Sequence, residues 1–579
     1  MLRGPESRLR LVSVLFALVF LIILGRLVWL QVIVRAEWKE EVDVLLDRPY
    51  GLPAPPPGVI VDRNGDLLVG NAPVYAVGAD VSLITTITDT LQAAADLSPL
   101  LGRDVTSVQA DLAVEDRTWV RLAWAIGGEA AYKLEDLKAE EWYWLTLEPT
   151  WERYYAEGAL ASHTLGFSND EGYGYGIEAF HYRLLKPQPA VAQGEVDAAS
   201  EPYPEEMAQG KLRAVQGTDL TLTIDRTIQA FVEGELDRAM ADYGAYGGTI
   251  LVVNPKTGAI LASVSRPAYD PARRSEYADE QRNLFVDPAI SVPYEPGSVF
   301  KVITAAAAVD SGGVGRDWSY YDSGAVEYGG AVIRNFDRQA YGPQDLQGLL
   351  SSSLNVGAAT LSTQVMGADV FYRYVRAFGF GQLTGIELAA EVPGFVHLPT
   401  DWDWTDSTLA TNSFGQGIAV TPLQMVTAVS ALANHGTMMA PYIVAERRYS
   451  DGTVVPTTPR PLGQPVSRAT ADYIAELMAN TVSDRYDKAR VPGYPMAGKS
   501  GTAQIPVSGG YDPVEVVTSF IGFGPVPDPE VVILVKLDRP QIEPHLRWGT
   551  QTAAPLFQSV ASRLFVLLGV PPTVAVVEP

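Results

Sequence analysis

The chain has no cysteine in 579 residues, which removes disulfides, thiolate nucleophiles and cysteine metal sites from consideration without fixing a compartment. Histidine is scarce as well. His163, His181, His397, His435 and His545 are the five, and their spacing matches no metal-ligand pattern; nothing in the pattern favours a catalytic histidine. Basic residues are outnumbered, 43 Lys and Arg against 68 Asp and Glu, giving a net charge of −25. A nucleic-acid partner needs a basic surface, and adhesion to an anionic membrane by charge alone needs one too, so both are excluded. Internal repeats are lacking, and one long hydrophobic run occurs, at the N-terminus. What remains is an ordinary folded composition, 47% hydrophobic and 19% charged, with many turns implied by 52 Gly and 41 Pro. The length exceeds what one core accommodates, so two or three domains are expected.

The N-terminal run carries its own logic. Arg3, Arg8 and Arg10 precede an apolar stretch from Leu11 to Gly25, and apolar residues resume after Arg26. Fifteen residues rise only about 22 Å in a helix, short of a bilayer core of about 30 Å. Extension to Val34 supplies the length, with Arg26 snorkelling or facing a helix partner. The expectation is a cytoplasmic tail over residues 1–10 and an uncleaved anchor over 11–34, since no small-x-small cleavage site follows. The basic flank predicts a cytoplasmic N-terminus and an extracytoplasmic bulk.

Residues 35–216 read as an irregular, extended pedestal that opens on the stiff Pro53-Ala54-Pro55-Pro56-Pro57 and ends in a polar linker at 186–216. From residue 217 to 579 the pattern is that of a compact domain with helices and strands. Ile228, Phe231, Val232 and Leu236 share a helical face within 227–243. Two apolar runs flanking Asn254-Pro255-Lys256-Thr257-Gly258 predict a β-hairpin. Residues 531–537 predict a buried strand and 554–568 a closing helix.

Three short motifs in that domain carry chemistry. Glu295-Pro296-Gly297-Ser298-Val299-Phe300-Lys301 puts Lys301 one turn beyond Ser298, close enough to act as its base once burial or another cation lowers the lysine pKa. Taken singly the pair is weak, since about two Ser-x-x-Lys pairs arise by chance in a chain this long. Ser353-Leu354-Asn355 offers a hydroxyl to relay a proton and an amide to hold a substrate. In isolation it reads as a loop or a helix cap. Lys499-Ser500-Gly501-Thr502 supplies a second cation beside Lys301 and two hydroxyl donors for a carboxylate. Gly501 leaves space for a substrate backbone, and the Thr502 N–H pairs with that of Ser298 as an oxyanion hole. The order and combination match the signature shared by β-lactamases and penicillin-binding proteins.

The likeness extends further. Residues 217–225, Asn254-Pro255-Lys256-Thr257-Gly258, Arg266-Pro267-Ala268-Tyr269-Asp270, Phe414-Gly415-Gln416-Gly417 and Asn434-His435-Gly436 resemble blocks of the class B penicillin-binding proteins. Gly58-Val59-Ile60-Val61-Asp62-Arg63-Asn64-Gly65, Leu160-Ala161-Ser162-His163 and Gly176-Ile177-Glu178 are similar to that family's pedestal motifs. The resemblance implies an α+β fold, the penicillin-binding serine transpeptidase fold, with an antiparallel sheet between helices. It implies a D,D-transpeptidase that needs no cofactor and acts on D-Ala-D-Ala stem peptides of peptidoglycan. It also implies β-lactams as covalent inhibitors, and a separate membrane glycan polymerase of the shape-elongation-division-sporulation family as partner, since no glycosyltransferase domain of the class A type is seen. Departures fall at Pro57, where the family usually has arginine, at Tyr155 for proline, and at Val299 for threonine. Gly493 to Ser500 fits the phosphate-binding loop pattern, but the following residues cannot supply the helix that loop requires. A β-lactamase would need the Glu-x-x-Leu-Asn element, and Ser351 stands in the glutamate's place. A carboxypeptidase, a β-lactam sensor and a non-catalytic scaffold share the same motifs.

Overall fold

The apolar face read at 227–243 becomes a helix, α1 (Arg226–Tyr243), and its ends show why it forms there. The Asp225 side chain accepts from the N–H groups of Thr227 and Ile228 at 3.0 and 3.1 Å, and Gly244 closes the helix in the left-handed conformation at φ 60°. Ile228, Val232 and Leu236 are buried against a five-stranded sheet. Its strands are β1 (Gly247–Val253), β2 (Ile260–Arg266), β3 (Ala497–Val507), β4 (Gly510–Gly524) and β5 (Val531–Asp538). They lie in the order β3-β4-β5-β1-β2 and every neighbouring pair is antiparallel. Both expected hairpin strands, the strand at 531–537 and the closing helix are therefore present. The last is Ala553–Leu567.

Both faces of the sheet are covered, which explains its unbroken apolar strands. Along β5, Val531, Ile533, Val535 and Leu537 join the core beneath α1 and the closing helix. Val532 and Leu534 join the opposite core. That second core holds α2 (Lys301–Asp310), α3 (Pro422–Ala433), in which every residue is buried, and α4 (Arg468–Arg485), while the closing helix, α5, belongs to the first core with α1. An antiparallel sheet alternates in polarity only when one face meets water, and this one does not.

The structure is a computed structural model describing residues 55–84, 87–114, 116–140, 142–169, 171–187, 215–402 and 404–573. The expected anchor at 11–34, the tail before it and most of the linker at 186–216 lie outside those residues. Among the described residues no helix is long and apolar enough to cross a membrane. The described chain forms two compact units. One is Pro73–Trp151, in which helices Ile87–Leu101, Val105–Leu112 and Gly128–Glu140 cover a core of Leu97, Val108, Leu122, Leu134 and Trp144. The other combines Pro55–Ala72 with the chain from Glu152 onward, so residues 152–187, expected within the pedestal, pack with the sheet domain.

Within that second unit Asp62 explains much of the motif at 58–65. It is fully buried, and Oδ1 accepts from the N–H groups of Asn64 and Asp66 at 2.7 and 2.9 Å. Its Oδ2 accepts from the N–H of Arg226 at 2.9 Å, in the first turn of α1. Arg153 ties the same region together, donating to Gly58 O and Asn71 Oδ1 at 2.8 Å each and pairing with Glu178. Two departures from the family pattern are accommodated here. The Pro57 carbonyl accepts from Asn71 Nδ2 at 2.7 Å, and the buried Tyr155 hydroxyl donates to Gly166 O at 2.9 Å. Replacing Asp62 by alanine strands three backbone donors. Asn64 and Asp66 are exposed and Arg226 is half-buried, so water partly replaces the carboxylate and the expected loss is roughly 1–3 kcal/mol. A clear fall in the urea midpoint of the purified protein checks this; an unchanged midpoint would refute the account of Asp62.

Candidate active site

The site is built where the edge strand β3 meets the turn that precedes α2. Gly297 takes φ 57° and donates its N–H to Gly415 O at 3.0 Å. The approach is close enough that a Cβ on Gly415 would lie 2.3 Å from Gly297 O, so Phe414-Gly415-Gln416-Gly417 is a block defined by backbone contact. Glu295 adds a second tie. Its Oε1 accepts from the Gly417 N–H at 3.0 Å and from the Tyr511 hydroxyl at 3.3 Å, while Oε2 is buried without a partner. Burial pushes that carboxyl up to about 7.

Ser298 lies in a short 3-10 turn, Gly297–Phe300, that runs directly into α2. In that tighter helix residues three apart eclipse each other, which sets Lys301 beneath Ser298. Val299 and Phe300 are fully buried and anchor the turn, which accounts for an apolar residue in place of the usual threonine. Lys301 is also fully buried. Burial and, after it, the charge of Lys499 hold its ammonium well below the ordinary lysine range.

Counting donors shows what Lys301 does in its neutral form. Its Nζ faces two carbonyl-type oxygens, Ser353 O at 2.5 Å and Asn355 Oδ1 at 2.7 Å, and two hydroxyls, Ser298 Oγ at 3.1 Å and Ser353 Oγ at 3.3 Å. The carbonyl oxygens only accept, so a neutral amine spends its two N–H groups there. Its lone pair is then left for the Ser298 hydroxyl. Ser353 reaches this position through a left-handed backbone at φ 56°, an arrangement that costs a non-glycine residue about 1–2 kcal/mol. That strain turns both the carbonyl and the hydroxyl of Ser353 toward one lysine. Asn355 is steadied by donating Nδ2 to Arg334 O at 2.9 Å.

The third motif occupies β3. Lys499 is fully buried and its three N–H groups are all used, on Ser353 Oγ at 3.1 Å, Tyr486 OH at 3.0 Å and Ser500 O at 3.0 Å. Ser500 and Thr502 are half-buried and line the cleft in front of Ser298. Thr502 Oγ1 accepts from the Gly549 N–H at 3.1 Å. Gly501 serves a different purpose from the one expected. A Cβ there would lie 2.4 Å from Ser519 Oγ and 3.1 Å from both Pro296 O and Val299 Cγ1. The missing side chain admits the nucleophile turn, not the substrate. Because Lys499 and Ser500 lie within a strand, the phosphate-loop reading has no loop and no following helix to rest on.

Each motif residue named from the sequence thus belongs to one cluster, around an open cleft of about 260 Å³. Sequence reasoning missed four contributors. Tyr486 and Trp548 line the cleft from positions that belong to no short pattern. Phe336 meets Trp548 edge-on at 4.4 Å. Asn335 holds the second motif by accepting from the Val356 N–H at 3.2 Å and donating to Asp322 at 2.7 Å. Ser351, where a β-lactamase of class A would have glutamate, accepts from Gln347 Nε2 at 2.8 Å. Asp337 is the one carboxylate lining the cleft among the described residues, and its Oδ2 is taken by the Tyr341 hydroxyl at 2.7 Å.

Comparison with known proteins agrees with this geometry. Residues 248–562 match the family model described as penicillin binding protein transpeptidase domain, and residues 53–172 match the penicillin-binding protein dimerisation domain. Stage V sporulation protein D of Bacillus subtilis is 34% identical over 584 residues, covering 98% of this chain and 86% of that protein. The probable peptidoglycan D,D-transpeptidase PenA of Neisseria gonorrhoeae is 27% identical over 586 residues, covering 98% and 94%. Penicillin binding protein 3 from Mycobacterium tuberculosis, solved in complex with aztreonam, superposes with a TM-score of 0.67 at 26% identity, covering 91% of this chain and 99% of that one. With a dimerisation domain ahead of a serine transpeptidase domain, the chain belongs to the class B penicillin-binding proteins.

Proposed function

We propose that the protein cross-links peptidoglycan by serine acyl transfer, and the observation that carries this reading is the fully buried Lys301, whose Nζ lies 3.1 Å from Ser298 Oγ and whose ammonium is held well below the ordinary lysine range by burial and then by Lys499. Lys301 takes the hydroxyl proton as Ser298 Oγ attacks the carbonyl of the penultimate D-alanine in a stem peptide. The N–H groups of Ser298 and Thr502 receive the oxyanion, which develops fully only in the tetrahedral state. The proton passes from Lys301 through Ser353 Oγ, which lies 3.3 Å from Lys301 and 3.1 Å from Lys499, to the departing D-alanine amine. The Asn355 side chain positions the peptide. An amine from a neighbouring strand then attacks the ester, its proton returns by the same path, and Ser298 is regenerated. A β-lactam follows the first half and stays as a long-lived ester. No cofactor takes part in any of these steps.

The same reading extends to the rest of the chain. Residues 11–34 anchor the protein in the cell membrane with the N-terminus cytoplasmic and the catalytic domain outside. A membrane glycan polymerase of the shape-elongation-division-sporulation family supplies the strands, touching the anchor and the pedestal. A non-catalytic scaffold is less well supported, because the complete proton path from Ser298 to Ser353 would serve no purpose there, and a β-lactam sensor is less well supported because relatives carry transpeptidase names.

Two measurements test the reading. A fluorescent penicillin is expected to give a stable covalent band on the native protein and none on Ser298→Ala. A band that forms and fades would point to a β-lactamase, and no band on the folded native protein would leave the scaffold. Acylation should also rise with pH. Lys301 is a competent base only when neutral, so the rate climbs as pH passes upward through its depressed pKa and levels off above it. Lys499→Met removes the neighbouring cation and therefore moves the midpoint to higher pH, besides slowing the reaction. A midpoint unmoved by that change would show that Lys499 does not tune the base.

A further inference from the structure

Among the polar groups of the cleft to which neither the motifs nor the comparisons give a part, the hydroxyl of Tyr486 is the one in contact with Lys499. Tyr486 follows the last turn of α4 and is 5% exposed. Its ring is fixed by Phe520 at 5.7 Å, and it is among the residues lining the cleft with Ser298, Ser500 and Thr502. The hydroxyl oxygen accepts an N–H from Lys499 at 3.0 Å. A phenol has one proton to donate, and among the described residues no acceptor faces it. Accepting from an ammonium polarises the O–H and makes it a stronger donor.

Lys499 cannot itself spare a proton for the substrate. Its three N–H groups are taken by Ser353, Tyr486 and Ser500, so a carboxylate could reach the ammonium directly only by breaking one of these bonds. The ammonium charge must then be passed on through a neighbour that can still donate. Ser353 Oγ is reserved for the proton path. The Ser500 contact is a carbonyl oxygen, which has nothing to donate. Tyr486 alone of the three has a free proton and stands at the cleft wall.

We propose that Tyr486 is a carboxylate-binding residue of this site, presenting its hydroxyl, polarised by Lys499, to the terminal carboxylate of the stem peptide and of a β-lactam. This deepens the transpeptidase reading and rests on it. Together with the hydroxyls of Ser500 and Thr502 it makes a three-hydroxyl seat backed by a buried cation. The cation supplies the field and the hydroxyls supply the contacts. Such a seat accepts a carboxylate and has no group that would favour an amide or ester in its place.

The test compares ligands with and without the negative charge. Tyr486→Phe keeps the ring and its packing on Phe520 and removes only the hydroxyl. Second-order acylation rates are measured on the native protein and the variant with a penicillin and with its methyl ester. A carboxylated acyl-D-Ala thioester and its C-terminal amide serve as a second pair. The expected result is a fall for the carboxylates about tenfold larger than that for the ester and amide, the size of one hydrogen bond to a charged group beyond any loss through Lys499. An equal fall on both members of a pair would overturn the proposal, because Tyr486 would then merely prop Lys499 and Ser353. No fall on the carboxylates, with the melting temperature unchanged, would overturn it as well. Failure of the native protein to be acylated on Ser298 would instead overturn the transpeptidase reading itself.

Discussion

Two lysines with no exposure to solvent lie side by side in this protein, and the rest of the site follows from keeping them there. Lys301 and Lys499 both contact Ser353 Oγ, at 3.3 and 3.1 Å, so their nitrogens are bridged by a single hydroxyl. Burying one ammonium is costly, and burying two at this separation is tolerable only if one gives up its proton. Lys301 is the one held well below the ordinary lysine range, by burial and then by the charge of Lys499. Lys499 has three acceptors for three N–H groups, while Lys301 has two pure acceptors and two hydroxyls. The environment therefore favours an amine at Lys301, whose lone pair can take the Ser298 hydroxyl 3.1 Å away. The base is the result of burial and a neighbouring cation together, not of any single contact.

That arrangement needs three separate chain segments to meet with little tolerance, and glycine is the device used at the joints. Gly415 lets the nucleophile turn lie against a loop backbone, and Gly501 lets the same turn lie against β3. A side chain at either point would push Ser298 away from Lys301 or from Thr502. The edge position of β3 matters for the same reason. Only a strand with one free side can hydrogen-bond β4 on its inner flank and face the cleft with the other. The strained backbone at Ser353 is the remaining adjustment, sustained by the buried Asn335 and Asp322 that hold the second motif from behind.

Much of this was legible in the sequence, and for uneven reasons. The strands and helices of the sheet domain announced themselves through continuous apolar runs and a 3.6-residue period, because both faces of the sheet are buried. The catalytic residues were legible because their chemistry depends on short-range spacing, Ser298 to Lys301 or Lys499 to Thr502, that survives in a linear string. What escaped were contributors whose place is set only by the tertiary fold. Tyr486 follows a long helix by one residue and Trp548 precedes another by a few, and no local pattern distinguishes them from ordinary core aromatics. The role of Gly501 was misjudged for a related reason. Sequence shows that a side chain is missing but not which neighbour occupies the space. The extent of the pedestal was also hard to read, since residues 152–187 look irregular locally yet pack with the sheet domain through long-range contacts such as Tyr269 OH to Ser162 O at 3.0 Å.

The same physics bears on why the acyl-enzyme should wait for an amine. Hydrolysis requires a base held against a water molecule on the exposed face of the ester. In the described cleft the position a β-lactamase would fill with glutamate is Ser351, already engaged by Gln347, and Asp337 is tied to Tyr341. Lys301 remains as a base, but its amine is directed at Ser298 Oγ by two carbonyl oxygens that fix its orientation. A nucleophile must therefore arrive along the path that the leaving amine took, past Ser353, to exchange a proton with that lysine. An amine is intrinsically a far better nucleophile than water, and one attached to a peptide held in the cleft also arrives with its orientation already set. The choice of transfer over hydrolysis then needs no group that repels water. It follows from a site that offers water no base of its own and gives an incoming amine the reverse of the route its predecessor left by.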